Sequence, residues 1–176
     1  MDVSDEDLAE AAAAGDRAAF ALLLDRVYDR VFRLAFRLTG ARAEAEDLTQ
    51  DICAALPAKL AGYRGGARLS TWLYRVVVNA AHDRRRRHAT RARAAAGWGD
   101  WERARQAALS EAAERSDWLL RAMAALPDDL RDTLALVLDG VSHAEAGAVL
   151  GVAEGTISWR VAEARKRLRA MKEAEA

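Results

Sequence analysis

The stretch SHAEAGAVLGVAEGTISWRVAEARKRL, residues Ser142 to Leu168, decides how this chain is read. Ser142 followed by Glu145 is an S-x-x-E capping box, which predicts a helix start. Ala146, Val149 and Leu150 give that helix an apolar side, and Gly151 sits where a helix C-cap needs a left-handed residue. Beyond it, Ile157, Val161, Ala164, Leu168 and Met171 recur at steps of four and three, so a second helix buries one stripe. Arg160, Arg165, Lys166, Arg167 and Arg169 occupy the rest of its surface. The pattern predicts a helix-turn-helix whose second helix suits the major groove. The plainer alternative is an amphipathic hairpin with a solvated charged face, and motif plus charge favour DNA.

Working outward, the 176 residues allow one or two small domains, and 52% hydrophobic content suffices for a packed core. Alanine-rich segments and only 2 prolines predict helices throughout, so the expected class is all-α. Val76 to Val78 is too short a β-branched run to argue for a strand. Cys53 is alone, which excludes an intrachain disulfide and a cysteine zinc site. No apolar run of about 18 residues exists, so no membrane insertion is expected. The start, MDVSDEDLAE, is acidic and polar, unlike a signal peptide, and a cytoplasmic protein is expected. Net charge is +0, from 27 basic and 27 acidic residues, yet the charges are segregated. Acids crowd the first sixteen positions, whereas Arg84, Arg85, Arg86, Arg87, Arg91 and Arg93 crowd one segment. Local potential rather than net charge governs attraction to phosphates.

Residues 1–88 read as one helical unit. Helices are expected at Asp5 to Ala14, Arg17 to Thr39, Ala43 to Leu60, and from a Ser70 cap to about His88. Pro57 predicts a kink or an early end in the third, and Gly62 to Gly66 a loop. Residues 89–115 read as a flexible linker. Residues 116–176 form the second unit, with Asp117 to Leu126 helical, Pro127 in the first turn of the next helix, and Gly140 closing it.

Three segments are more specific than any single motif: AEAEDLTQDI at Ala43 to Ile52, RLSTWLYRVVVNAAHDRRRR at Arg68 to Arg87, and Ala125 to Arg169. Together they resemble the signature segments of bacterial sigma-70 family RNA polymerase sigma factors, and the two-domain form resembles the extracytoplasmic-function (ECF) class. The resemblance implies that core RNA polymerase, promoter DNA and an anti-sigma protein are the partners. It places the core-polymerase contact on Asp47, Leu48, Gln50 and Asp51. The residues agree in part, since Asp47, Gln50 and Asp51 share one face at i, i+3 and i+4, although a bare acidic face is more often only solvated. For the −10 element the resemblance points to the loop from Tyr63 and Arg64 to Leu69, to Asn79 as reader of a flipped base, and to the arginines from Arg84 to Arg87. Arg75, Asn79, His82 and Arg86 stand at steps of four, three and four, one polar stripe. Asn79 is a poor helix former whose amide either reads a base edge or caps an internal hydrogen bond. Trp72 reads as core.

For the −35 element the resemblance points to Thr156, Ser158, Trp159, Arg160, Ala162, Glu163, Arg165 and Lys166. Thr156 is placed to meet a phosphate at the helix N-terminus. Members often carry a basic residue at Ser158 and a small one at Trp159, so their −35 letters do not transfer. Glu163 either accepts from cytosine N4 or pairs with Arg167. Trp159 touches thymine methyls or docks a partner protein. Trp98 and Trp101 fall in the linker, where they either follow the chain toward polymerase or pack between the domains. A conventional dimeric helix-turn-helix regulator acting without polymerase is the alternative. An enzyme is not expected: His82, His88 and His143 are the only histidines, and His82 and Asp83 diverge by about 100° on a helix. No cofactor, metal site or small-molecule substrate is expected.

Overall fold

Short polar residues start three of the helices. Ser4 accepts from the Asp7 amide while the Asp7 carboxylate reaches back, and α1 (Asp5–Ala13) follows. Asp16 accepts from the amides of Ala18 and Ala19 and opens α2 (Arg17–Thr39), which Gly40 ends at φ 74°. Then come α3 (Arg42–Leu60) and α4 (Leu69–Ala95). The second half holds α5 (Trp118–Ala124), α6 (Asp128–Leu138), α7 (His143–Leu150) and α8 (Glu154–Ala174). The computed structural model describes residues 3–95 and 118–175, and within them every regular element is a helix. None of these helices is long and apolar enough to cross a membrane.

Several expected boundaries change. The Ser70 cap is wrong: Ser70 lies inside α4, whose first amide, that of Leu69, instead donates to Glu6 Oε1 at 3.2 Å. A carboxylate from α1 thus sits at the positive end of α4. That helix runs through Ala95, seven residues past His88, so the first part of the expected linker is helical. Alanine and arginine, which make that segment look like a spacer, are strong helix formers. Pro57 does not end α3, because buried Leu56 and Leu60 flank it and hold the last turn against the core. Pro127 sits at the N-cap of α6, one place before its first turn. Trp98 and Trp101 lie outside the described residues.

The apolar stripe of α2 (Leu23, Val27, Val31, Leu34, Leu38) packs on Leu48, Ile52, Leu56 and Leu60 of α3 and Leu73 and Val77 of α4, all 2% exposed or less. Burying each such side chain is worth about 1.5–3 kcal/mol. In the second half Leu130 and Leu134 of α6 meet Ile157, Val161 and Ala164 of α8, with Ala146 and Val149 of α7 closing the cluster. The two halves share one continuous core, because α2 packs on α5 and α6 and α4 packs on α7.

The helix-turn-helix follows the sequence pattern closely. The Ser142–Glu145 box caps α7, and Gly151 ends it at φ 69°. The turn is tight enough that Gly147 faces the backbone: a β-carbon there would stand 2.7 Å from the Val152 carbonyl oxygen. Gly147→Ala should therefore destabilise the motif by about 1–3 kcal/mol, the usual cost of overpacking. Thermal melts comparing it with an exposed alanine variant on α8 will measure this.

Candidate nucleic-acid interface

Helix α3 carries its acids outward. The side chains of Asp47 and Asp51 are 67% and 68% exposed, and Gln50 is exposed beside them. Leu48 is 2% exposed, so it belongs to the core and holds the acidic face in place rather than lying on it. Arg84 leans back from α4, with Nη2 3.2 Å from Asp47 Oδ2 and Nη1 3.4 Å from Asp51 Oδ2. Between α3 and α4 runs a groove of about 320 Å³ lined by Asp51, Ile52, Trp72, Arg75, Val76, Asn79 and Arg87 among others. Asn79 is exposed at mid-helix, and its amide has no hydrogen-bond partner among the described residues. The internal cap considered for it is thus absent there. Trp72 is half-buried against the core, its ring 5.4 Å from that of Tyr63. The Tyr63 hydroxyl donates to the Ala67 carbonyl at 2.8 Å, which pins the glycine loop. Burial, then the Glu6 charge, raises its pKa. Arg64 projects into solvent.

All four residues of the polar stripe on α4 are exposed, but Arg75 and His82 also reach across to the second half, whereas Asn79 and Arg86 do not. Arg75 Nη2 donates to the Ala148 carbonyl on α7 at 2.6 Å. His82 Nε2 lies 2.6 Å from Asp132 Oδ2. Arg85 donates to both oxygens of the same carboxylate, at 2.8 Å to Oδ2 and 3.0 Å to Oδ1. The Asp132 side chain is only 4% exposed. Burial alone would raise its pKa, but hydrogen bonds from His82 and Arg85 and their charge bring it below the usual value. Asp139, at the end of α6, is also 4% exposed and accepts from Arg37 Nη1 at 2.6 Å and from the Tyr74 hydroxyl at 2.8 Å. Burial, then that bond to a carboxylate, pushes the Tyr74 phenol up to about 12.

The arginine run expected to hold phosphates is thus mostly committed. Arg84 is bound to α3 and Arg85 to α6, and Arg86 pairs with Asp83. Arg87 bonds only the Asp83 carbonyl and has no carboxylate partner among the described residues. Asp132 and Asp139 escaped the sequence reading. Asp132 stands two residues, about 200° round the helix, from both Leu130 and Leu134, so periodicity sets it opposite that apolar pair and only the packing of α4 against α6 buries it.

The exposed positions of α8 include Ser158, Trp159, Ala162, Arg165, Lys166 and Arg169. Trp159 is 61% exposed. The Thr156 amide already donates to the Ala153 carbonyl at 2.9 Å, so it is not one of the free amides at this helix start. Arg160 turns away toward α6, its side chain 19% exposed and Nε 3.5 Å from Asp129. Glu163 takes the pairing alternative, accepting from Arg167 Nε at 2.8 Å. Arg165 and Lys166 have no partner among the described residues.

Comparison with known proteins bears on both halves. Residues 23–91 match the family described as Sigma-70 region 2, and residues 116–168 match Sigma-70, region 4. The chain is 39% identical over 167 residues to the ECF RNA polymerase sigma factor SigM of Mycobacterium tuberculosis, covering 94% of this chain and 83% of that protein. It is 30% identical to the ECF RNA polymerase sigma factor SigW of Bacillus subtilis, over 88% of this chain and 89% of the other. Among solved structures, CnrH in complex with the cytosolic domain of CnrY matches with a TM-score of 0.72 at 25% identity, covering 98% of this chain and 99% of that one. The sigma factor RpoE of Bartonella quintana, in complex with the anti-sigma factor NepR, matches in fold at 24% identity and a TM-score of 0.70, covering 89% of this chain and 98% of that one.

Proposed function

The chain belongs to the ECF RNA polymerase sigma factors of the sigma-70 family, and on that premise we propose that its halves divide promoter recognition between them. Residues 1–88 bind core polymerase and the −10 element, residues 116–176 bind the −35 duplex, and the segment between joins them. The acidic face of Asp47, Gln50 and Asp51 meets the polymerase. Asn79, with the pinned loop at Tyr63 and Arg64, captures an unstacked base, and trapping it offsets a flipping cost of a few kcal/mol. The chain works by binding rather than by catalysis, in the cytoplasm with the polymerase it directs.

The observation that carries this reading is Asn79. Its exposed mid-helix amide meets no described residue and stands on the rim of the α3–α4 groove, so its donor and acceptor are both free for a base edge. The contact between halves fits the same reading. Arg75, His82 and Arg85 are occupied by α6 and α7 in this arrangement. Promoter engagement then requires the halves to part, and an anti-sigma partner is the protein that would hold them unavailable.

The test is assembly. The purified chain should co-elute with bacterial core polymerase and support run-off transcription. Asp47→Lys with Asp51→Lys should lower co-elution at least about tenfold, as charge reversal at a complementary interface does. Normal assembly by that double variant would move the polymerase contact elsewhere. Tight, polymerase-independent binding to a palindromic duplex would favour the dimeric regulator instead.

A further inference from the structure

Direct reading of bases by α8 meets a shortage of free polar side chains. In its first three turns Ser158 Oγ lies 3.0 Å from His143 Nδ1, Arg160 is drawn to Asp129, and Glu163 is held by Arg167. Of the polar groups there, Ser158, Arg160 and Glu163 already have intramolecular partners, which leaves the half-buried Thr156 hydroxyl and the Glu154 carboxylate at the helix start. The large exposed group beside them is an indole. Trp159 is 61% exposed, the most exposed large hydrophobic side chain among the described residues. It sits on the N-terminal part of the recognition helix, the part that enters the groove in this motif. One turn on, the exposed neighbour is Ala162, which leaves room beside the ring, and Arg165 and Lys166 then supply unpaired positive charge on the same side.

We propose that Trp159 determines −35 specificity by packing its ring on the C5 methyl groups of thymines in the major groove. This rests on α8 being the −35 recognition helix. Thymine is the one base that presents a methyl group in that groove, and an indole offers a large apolar face whose single N–H at the edge is left for a phosphate or base acceptor. The neighbouring cations suit a phosphate-lined duplex better than an apolar protein surface. The −35 element of this protein should therefore contain thymine opposite the start of α8, read by shape and apolar contact.

The experiment uses reconstituted holoenzyme and a promoter selected from a library randomised at −35. Each −35 thymine is then replaced by deoxyuridine, which removes only the methyl group. The wild-type holoenzyme should lose about fourfold in promoter affinity per contacted methyl, the change that burying one such group supports. Trp159→Ala should bind thymine and deoxyuridine promoters equally, and Trp159→Phe should keep part of the preference. A selected element without thymine, or deoxyuridine tolerated by wild type, overturns the proposal. So does a Trp159→Ala chain that fails to assemble with polymerase while Trp159→Phe succeeds, since the ring would then be a protein contact. If the wild-type holoenzyme selects no −35 sequence at all, it is the assignment of α8 that fails.

Discussion

Asp132→Ala should open the free chain. Its carboxylate receives His82 and two nitrogens of Arg85 from the other half and is almost wholly buried. Removing one member of a fully buried ion pair costs about 3–5 kcal/mol. His82 and Arg85 retain 45% and 25% side-chain exposure, so water compensates them in part. A cost of about 1–3 kcal/mol follows, which shifts the closed-to-open balance 5- to 150-fold. Small-angle scattering should show a larger radius of gyration. Affinity for a single-stranded −10 oligonucleotide should rise, because Arg85 and His82 are released. An unchanged radius together with unchanged affinity would show that this contact does not keep the halves together. The pH dependence has a definite sign. The Asp132 pKa is lowered below its ordinary 3.8 in the closed form. Its contribution is then complete above that value and is lost as pH falls through the lower, closed-state one. Acid should open the wild type, and this acid-driven step should shrink in Asp132→Ala.

Asn79→Ala should cut transcription initiation about 10- to 100-fold while leaving polymerase association intact. A bidentate amide–base contact is worth about 1–3 kcal/mol of discrimination. The unpartnered amide means that folding loses little, and alanine is the better helix former by a few tenths of a kcal/mol. The melting temperature should therefore hold or rise slightly. A template already unpaired across −10 should recover much of the loss, because the energy of strand opening is then supplied in advance. Lost co-elution with polymerase, or a lower melting temperature, would make Asn79 a structural residue.

The helix-turn-helix was legible because its signals are local. The Ser142 box, the Gly151 cap and the stripe from Ile157 to Ala164 each lie within one or two turns, and all three stand in the structure. The helix expected at Arg17 to Thr39 stands with those bounds as well. What escaped were features set by distant partners. Glu6 caps α4 from 63 residues away, so the nearest serine looked like the cap instead. Arg85 and Asp132 lie 47 residues apart, and no periodicity links them. Arg84 looked free for phosphate because its carboxylate partners sit on another helix. A charge run reports what a helix carries, whereas its partners depend on tertiary packing. The site residues were nameable from motif and resemblance; which of them face solvent was not.

The acids of α6 give the second half a handedness of charge. Asp128, Asp129, Asp132 and Asp139 all belong to α6 or its C-cap, while Arg165, Lys166 and Arg169 line the exposed face of α8. Once detached from the first half, this small module is a miniature electric dipole. Its acidic underside is repelled by a polyanion and its cationic side is drawn in. On the proposed reading this polarity would turn the α8 face toward a double helix, so the acids that meet the first half would also orient the second.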